Sequence, residues 1–464
     1  MLNYKIRIGL APCRRWLHGK RTGIFSQEFA KKVKDELVPY IKAKFGSDDV
    51  DFVDLEFLNE EGLMFLPEQA DAIINEFQKQ KVDGLFIINC NFGCEEVAAK
   101  VAQGLNLPTL IWAPKDTVFR EDGMRYTDSQ CGLFAISKQL QRLNIPFSHI
   151  ENCEKEEPAF IRGVEKFLSV TCMVKGFRRL RIAQIGCRPK PFNSVIFNEG
   201  ELLEKFGVEV APINLAIVKQ EYDALLESRS ADLDADVQLL KSRFAGFDGL
   251  SDEDLKRSMV FKYLFPKLAA DYGCQVVSTE CWTAMNQLVG AMPCIAMSVL
   301  ADERFIVTCE SDVMGAISMA LLSLASRGKS IPFFGEFTVR HPENPNAELL
   351  WHCGPFAYSL KHPDSKAVVF NQKPGYRLKD GHYTITRLDG MHGVYNLLCG
   401  GFDAVDGPHT FGTHIWAQFD DYRKWEQKLI YGPYIHHMAE IEGDYTEELE
   451  EFCRYIPNLT ADRA

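Results

Sequence analysis

No window of the chain offers the roughly 18 consecutive apolar residues that a membrane-spanning helix needs. The opening residues, MLNYKIRIGLAPCRR, lack the long apolar stretch and small-residue cleavage site of a secretory leader. Basic excess is also missing. The formal net charge is -12, which excludes a general binder of nucleic acid or anionic membrane. The 14 cysteines form no C-x-x-C pair and no regular framework. Without a leader they read as reduced thiols in a cytoplasm. Those inside apolar runs, Cys172, Cys274 and Cys294, read as small buried hydrophobes. Neither G-x-G-x-x-G nor a P-loop occurs, so nucleotide binding is unsupported. No G-x-S-x-G elbow, internal repeat or low-complexity tract is found.

What remains is a globular composition, 46% hydrophobic and 11% aromatic over 464 residues, more than one ordinary core holds. Strand and helix patterns alternate through the first third: KIRIGLA, then SQEFAKKVKDELVPYIKAKF, DVDFVDLEF, PEQADAIINEFQKQ, VDGLFIINC, CEEVAAKVAQGL and PTLIWAP. That alternation implies a doubly wound parallel sheet. A second α/β unit begins near Gly176 and ends about Ala325. After the linker SRGKS, strand-like and turn-like pieces dominate. The expected fold is therefore α/β, with two doubly wound parallel-sheet domains (1–172 and 173–325) and a β-rich, barrel-like domain (326–464).

In such sheets ligands gather beyond the carboxyl ends of strands. The stretch FIVTCESDVMGA reads as a buried strand, Phe305 to Thr308, running into an apolar helix from Val313. Glu310 sits at the junction, where a carboxylate is costly to desolvate without a cation or hydrogen bonds. Asp312 has a structural reading as the helix cap. Glu336 interrupts the apolar run IPFFGEF, and taken alone it reads as the exposed face of an edge strand. His352 lies in LLWHCGPF, and His436 and His437 stand side by side in GPYIHHMAEI. In an extended run these two face opposite ways, so at most one enters a given pocket. Taken singly each histidine reads as a satisfied core residue. Together, two carboxylates and two imidazoles suit Mn²⁺, Fe²⁺, Co²⁺ or Zn²⁺.

The ordered motifs TCESDVMGA, IPFFGEF, LLWHCGP and YIHHMA resemble those of the L-fucose/L-arabinose isomerase family, in its compact branch. The resemblance covers most of the chain. At the second acidic motif the family often has Asp where this chain has Glu336. The resemblance places Glu310, Glu336, His352 and His437 around a metal, Mn²⁺ or another divalent ion such as Co²⁺. It favours His437 over His436 and gives Asp312 an orienting role. IGLAPCRRWLHGKRTGIFSQE and NCNFGCEE resemble loops that reach substrate in a neighbouring subunit, which implies substrate contacts for Arg21, Asn91 and Phe92. The implied assembly is a homo-oligomer, trimer-based or hexameric. STECWTAM, which holds Trp282, and the Lys20–Arg21 loop depart from the family pattern where substrate is read.

What the resemblance implies is interconversion of an aldose and its ketose through an ene-diolate, with Glu310 and Glu336 moving the protons. Three other readings stand beside it. One is the same isomerisation of a sulfonated or phosphorylated sugar, suggested by Arg14, Arg15, Lys20 and Arg21. Another is an aldolase or epimerase using ene-diolate chemistry. The third is a catalytically silent sugar-binding or regulatory protein.

Overall fold

The computed structural model describes residues 1–16, 25–117, 119 and 121–464. The chain divides into two compact units, one of Tyr4–Lys175 and one of Met1–Asn3 with Gly176–Ala464. The first expected boundary, at 172/173, falls three residues from this division. The residues expected to form the second and third domains lie in one unit.

The N-terminal unit is built on a parallel sheet of five strands: β1 (Ile6–Cys13), β2 (Val50–Val53), β3 (Gly84–Asn89), β4 (Thr109–Trp112) and β5 (Ser148–His149). Their order is β2-β1-β3-β4-β5. β3 and β4 are buried along their whole length, as expected of strands covered by helices on both faces. The first helix, Gln27–Phe45, starts where the Ser26 hydroxyl accepts the Phe29 N–H at 3.1 Å.

The second unit begins with four parallel strands, β6 (Arg181–Ile185), β7 (Glu209–Ile213), β8 (Val276–Thr279) and β9 (Val307–Thr308), ordered β7-β6-β8-β9. β9 is two residues long, shorter than the run Phe305–Thr308 suggests. Phe305 and Ile306 are buried without joining the ladder as strand residues. The apolar helix begins at Val313, as read from the sequence, and every residue to Ala325 is buried.

From Phe333 onward the chain is β-rich. Its strands are β10 (Phe333–Arg340), β11 (Ala347–His352), β12 (Val368–Phe370), β13 (Lys373–Arg377), β14 (His382–Met391), β15 (Val394–Val405), β16 (Thr413–Gln418), β17 (His437–Glu442) and β18 (Leu459–Arg463). Six of them close a ring, β16-β11-β10-β17-β14-β15, because β15 pairs back onto β16. Closure removes the free edges that an antiparallel sheet otherwise exposes. β13 and β18 add alongside in parallel, and β12 extends β13 as a hairpin. One apolar core runs from the helices beside β6–β9 into the barrel, through residues such as Phe333, Phe356, Tyr383, Phe402 and Met438.

Candidate functional site

The site grows from the carboxyl end of β9. Glu310 and Ser311 take φ of 65° and 52°, two consecutive non-glycine residues in the left-handed region. Each such residue costs on the order of 1–3 kcal/mol and needs its surroundings to hold it. Here the Ser311 N–H donates to Thr279 O at 3.0 Å and its hydroxyl to Ile185 O at 3.3 Å. The turn is thus tied to the ends of both β8 and β6. Asp312 then caps the helix, its Oδ1 accepting the Gly315 N–H at 2.8 Å. Position 315 must be glycine, since a Cβ there would meet the Phe334 ring at 2.4 Å.

The barrel supplies the other wall. In the β10–β17 register Glu336 stands opposite His437. Directly paired residues share a face, so both side chains turn toward the β9 junction. β10 is paired on both sides, with β11 and β17, so Glu336 is not on an edge strand. His437 is fully buried. Its Nδ1 is 3.0 Å from Asp312 Oδ2, and its Nε2 is 3.2 Å from Glu310 Oε2 and 3.8 Å from Glu336 Oε2.

Asp312 is also held by Arg387, which donates to both its oxygens at 2.6 and 3.1 Å. Arg387 donates from Nε to Asp389 Oδ2 at 3.0 Å. Burial alone would raise Asp312, but Arg387 and then His437 hold its carboxyl well below the usual carboxylate range. With Asp312 ionised, Nδ1 of His437 carries the proton, and Nε2 is left facing two carboxylates. Glu310 Oε2 and His437 Nε2 are both buried and neither makes a hydrogen bond of good geometry. A neutral ring and an ionised carboxyl held so would set lone pair against lone pair. Either a second proton or a cation belongs between them. Burial disfavours the imidazolium, while Asp312 and Glu310 more than reverse that and raise the His437 pKa.

The donor atoms of Glu336, His436 and His437 lie within 4.8 Å of one another. His436 precedes β17 rather than lying within it, so the strand alternation expected for the pair does not apply. Its ring is centred 4.4 Å from that of His437, and its Nε2 is 3.5 Å from Glu336 Oε2. Both histidines therefore enter the pocket. Burial lowers the His436 pKa to about 4, so this ring is neutral near pH 7. His352, at the end of β11, is centred 6.3 Å from His437. Its nearer partners are thiols, with Cys309 and Cys353 donors inside the same 4.8 Å limit. The structure thus brings all four expected ligands to one region and splits them into two adjoining groups.

Trp282 follows β8, and its indole N–H donates to Glu310 Oε1 at 3.1 Å. Phe192, in the loop after β6, was not singled out from the sequence. Its ring lies 5.8 Å from Trp282 and 6.2 Å from His437. The signal for it was its place beyond a strand's carboxyl end, in the loop GCRPKPF. Arg387 was missed as well. It lies inside a barrel strand, where only its full burial marks it.

The remaining candidates lie in the N-terminal unit. Asn91 is buried and its Oδ1 accepts the N–H groups of Arg15 and Gly93 at 2.9 and 3.1 Å, which shapes the loop after β3. Phe92 lies under the Arg15 guanidinium at 4.3 Å. Arg14 is not a solvated loop cation. It is buried, ion-paired with Glu61 at 2.6 and 2.8 Å, and stacked on Phe65. Lys20 and Arg21 lie outside the described residues.

Residues 18–178 match a family model described as the N-terminal domain of fucose/sulfoquinovose isomerase. Curated relatives extend the likeness along the chain. A sulfoquinovose isomerase of Priestia megaterium is 25% identical over 398 residues, covering 84% of this chain and 87% of its own. One of Alkalicoccus urumqiensis is 27% identical over 405 residues, covering 84% and 88%. Together these matches make the chain similar to the fucose-isomerase-like family over most of its length. A periplasmic solute-binding protein of Actinobacillus succinogenes, solved with D-allose, overlays 69% of this chain and 92% of its own. At 12% identity and a TM-score of 0.15 that overlay carries no argument. In this fucose-isomerase-like chain the relatives' match spans both the N-terminal unit and most of the second. The described residues contain no helix long and apolar enough to cross a membrane.

Proposed function

We propose that this fucose-isomerase-like protein interconverts an aldose and its ketose, and that its substrate is a sulfonated hexose of the sulfoquinovose class. The observation that carries the isomerase reading is the pair of unpartnered buried atoms, Glu310 Oε2 and His437 Nε2, set 3.2 Å apart beside Glu336. Two carboxylates and an oriented imidazole suit a hard divalent cation such as Mn²⁺. Glu310, Glu336 and His437 would hold it, with His436 or His352 as the next donor. When bound, such an ion supplies Lewis acidity toward the sugar's carbonyl and hydroxyl oxygens.

The chain's own groups account for the rest. Isomerisation moves a proton between C1 and C2 of the open-chain sugar, and between the two oxygens. Glu310 and Glu336 flank the pocket as the proton-handling pair. The Trp282 N–H fixes one oxygen of Glu310 and leaves the other for the reaction. Asp312 holds the proton on His437 Nδ1 and so keeps Nε2 free as a donor. Phe192 and Trp282 form an apolar wall against which the carbon face of a sugar packs.

The sulfonate reading rests on the relatives' names and on one local feature. The loop that carries Phe192 also carries Arg188 and Lys190. Arg188 donates only to the carbonyls of Pro189 and Lys190, and no acidic partner for either cation occurs among the described residues. A free cation pair beside the aromatic wall suits an anionic sugar terminus. The test is proton NMR of sulfoquinovose and of D-glucose, each with the Mn²⁺-supplemented protein in deuterium oxide. Ketose formation with deuterium uptake at C2 is expected for the sulfonated sugar. Arg188→Gln/Lys190→Gln should raise its KM about tenfold or more and leave kcat within about twofold. No turnover of either sugar overturns the isomerase reading. Equal turnover of both, unchanged in the double variant, overturns the sulfonate reading.

A further inference from the structure

Fourteen cysteines scattered through 464 residues show no pattern in the sequence, yet four of them meet beside the candidate site. Cys281 follows β8, Cys309 follows β9, Cys353 follows β11, and Cys294 opens the helix Cys294–Asp302. The first, second and fourth are fully buried and Cys353 is partly so. Their Sγ atoms are brought together by separate elements of the fold. Cys294 Sγ is 3.6 Å from Cys353 Sγ. The donors of Cys309, Cys353 and His352 lie within 4.8 Å of one another. His352 Nε2 is buried and makes no hydrogen bond.

We infer that Cys294, Cys309 and Cys353, with His352, form a second cation site, one for a soft, thiolate-seeking metal of the Zn²⁺ or Cu⁺ class. Three sulfurs and one imidazole are a donor set for such ions, and carboxylates are not. The spacing agrees. Two thiolates bound tetrahedrally at about 2.3 Å from one ion stand about 3.8 Å apart. The Cys294–Cys353 separation is already near that value. The same distance is far from the roughly 2.05 Å of a disulfide, so the pair is not poised as a cystine. Each thiol would release its proton to solvent as the ion enters.

The plain alternative is that four small hydrophobes share a core, as their sequence context suggests. Cys281 and Cys309 do belong to the apolar core. Two features weigh against a purely apolar role for the rest. Cys353 is partly exposed. The His352 ring accepts the Cys353 N–H at Nδ1 at 2.9 Å, and its other nitrogen, Nε2, is buried without a partner. Sites of the two chemistries then adjoin, a hard one at Glu310, Glu336 and His437 and a soft one at the thiols, with His352 between.

The test uses the full-length protein, reduced and stripped of metal by a chelator. Co²⁺ alone is titrated and read by absorbance, since cobalt–thiolate bonds give a near-ultraviolet charge-transfer band that oxygen and nitrogen donors do not. A saturable band displaced by Zn²⁺ is expected. Cys353→Ser and Cys309→Ser should each weaken it, with affinity falling about tenfold or more. Glu310→Gln should keep the band while losing Mn²⁺ affinity, which separates this site from the proposed catalytic one. Because a serine variant can fail to fold, alkylation of the wild type is measured as well. Zn²⁺ should protect Cys353 from N-ethylmaleimide, while the exposed Cys131 and Cys187 continue to react. Cobalt binding without a thiolate band, a band unchanged in both cysteine variants, or equal labelling of Cys353 with and without Zn²⁺ overturns the inference.

Discussion

Replacing Asp312 with Asn separates two accounts of this residue. If Asp312 only caps the helix Val313–Ala325, the change is nearly neutral, because Asn and Asp cap about equally well. The structure gives it more to do. Oδ1 accepts from Gly315 N and Arg387 Nη2, and Oδ2 accepts from Arg387 Nη1 and His437 Nδ1. Every position around the carboxylate is a donor. An amide placed either way turns its NH₂ toward two of them, so a side-chain flip offers no escape. Both Asp312 and Arg387 are fully buried; neutralising Asp312 leaves the Arg387 charge with Asp389 alone, and neutralising Arg387 leaves Asp312 with His437. Breaking a buried pair of this kind costs about 3–5 kcal/mol. For a unit of roughly 290 residues, unfolding entropy of about 0.6 kcal/mol/K turns that into a fall in Tm of about 5–8 °C. Differential scanning calorimetry of the metal-free protein at pH 7 measures it, free of any contribution from ion binding. Arg387→Met should show a comparable loss. The double variant should lose less than the sum, because the two residues share one interaction. A shift under about 2 °C for Asp312→Asn, or strict additivity with Arg387→Met, refutes the buried-pair account and returns Asp312 to a cap.

Glu310→Gln should lower turnover by about 10²–10⁴ at saturating Mn²⁺, the range for a lost proton-transfer group. Near-normal turnover would remove Glu310 from the chemistry. Trp282→Phe deletes the N–H that orients Glu310 and keeps an aromatic wall. A loss of up to about tenfold in kcat/KM is expected without a change in Tm, from one hydrogen bond to a charged group. Glu348 is a stability test away from the site. Its side chain is 5% exposed, and burial raises its pKa to about 7 against the help of Tyr422 and Arg340. A carboxyl raised on folding favours the native state below pH about 4.5, and that advantage is lost as pH rises through about 7. Glu348→Gln should therefore melt above wild type at pH 8, by at most about 3 kcal/mol, with the gap closing toward pH 4.5. A variant less stable than wild type at pH 8 would mean the ionised carboxylate is well paired after all.

The barrel was legible as a composition, because short alternating runs separated by turn dipeptides have few other solutions. The pairing that closes it was not, since β15 meeting β16 depends on strand curvature that no local pattern records. The junction after β9 was legible for the same reason as the sheets. An apolar strand, a polar tetrad and an apolar helix are punctuation. What failed was the treatment of residues one at a time. Glu336 looked like an edge residue because the sequence hides that β10 has neighbours on both sides. His436 was set aside by an alternation rule that holds only inside a strand, and β17 begins one residue later. Cys294 read as a hydrophobe because nothing in one dimension brings it to Cys353, 59 positions away. Arg387 carries no motif at all, and its role exists only through Asp312.

The left-handed pair at Glu310 and Ser311 explains why a buried strand ends in two carboxylates. Glu310 and Asp312 are two apart, and along a regular strand they would share a face and compete for one neighbour. Turning the backbone through two positive φ values breaks that equivalence. Asp312 is delivered to the helix start and to Arg387, where it is ionised, neutralised and structural. Glu310 is delivered to the pocket, where Trp282 takes one oxygen and the other is left open. His437 spans the two, with one nitrogen on each carboxylate. The strained turn thus converts a pair of like charges into an inner one that sets the tautomer of an imidazole and an outer one that works beside it. The cost, on the order of 1–3 kcal/mol per residue, is offset in part by the hydrogen bonds that tie Ser311 to β6 and β8.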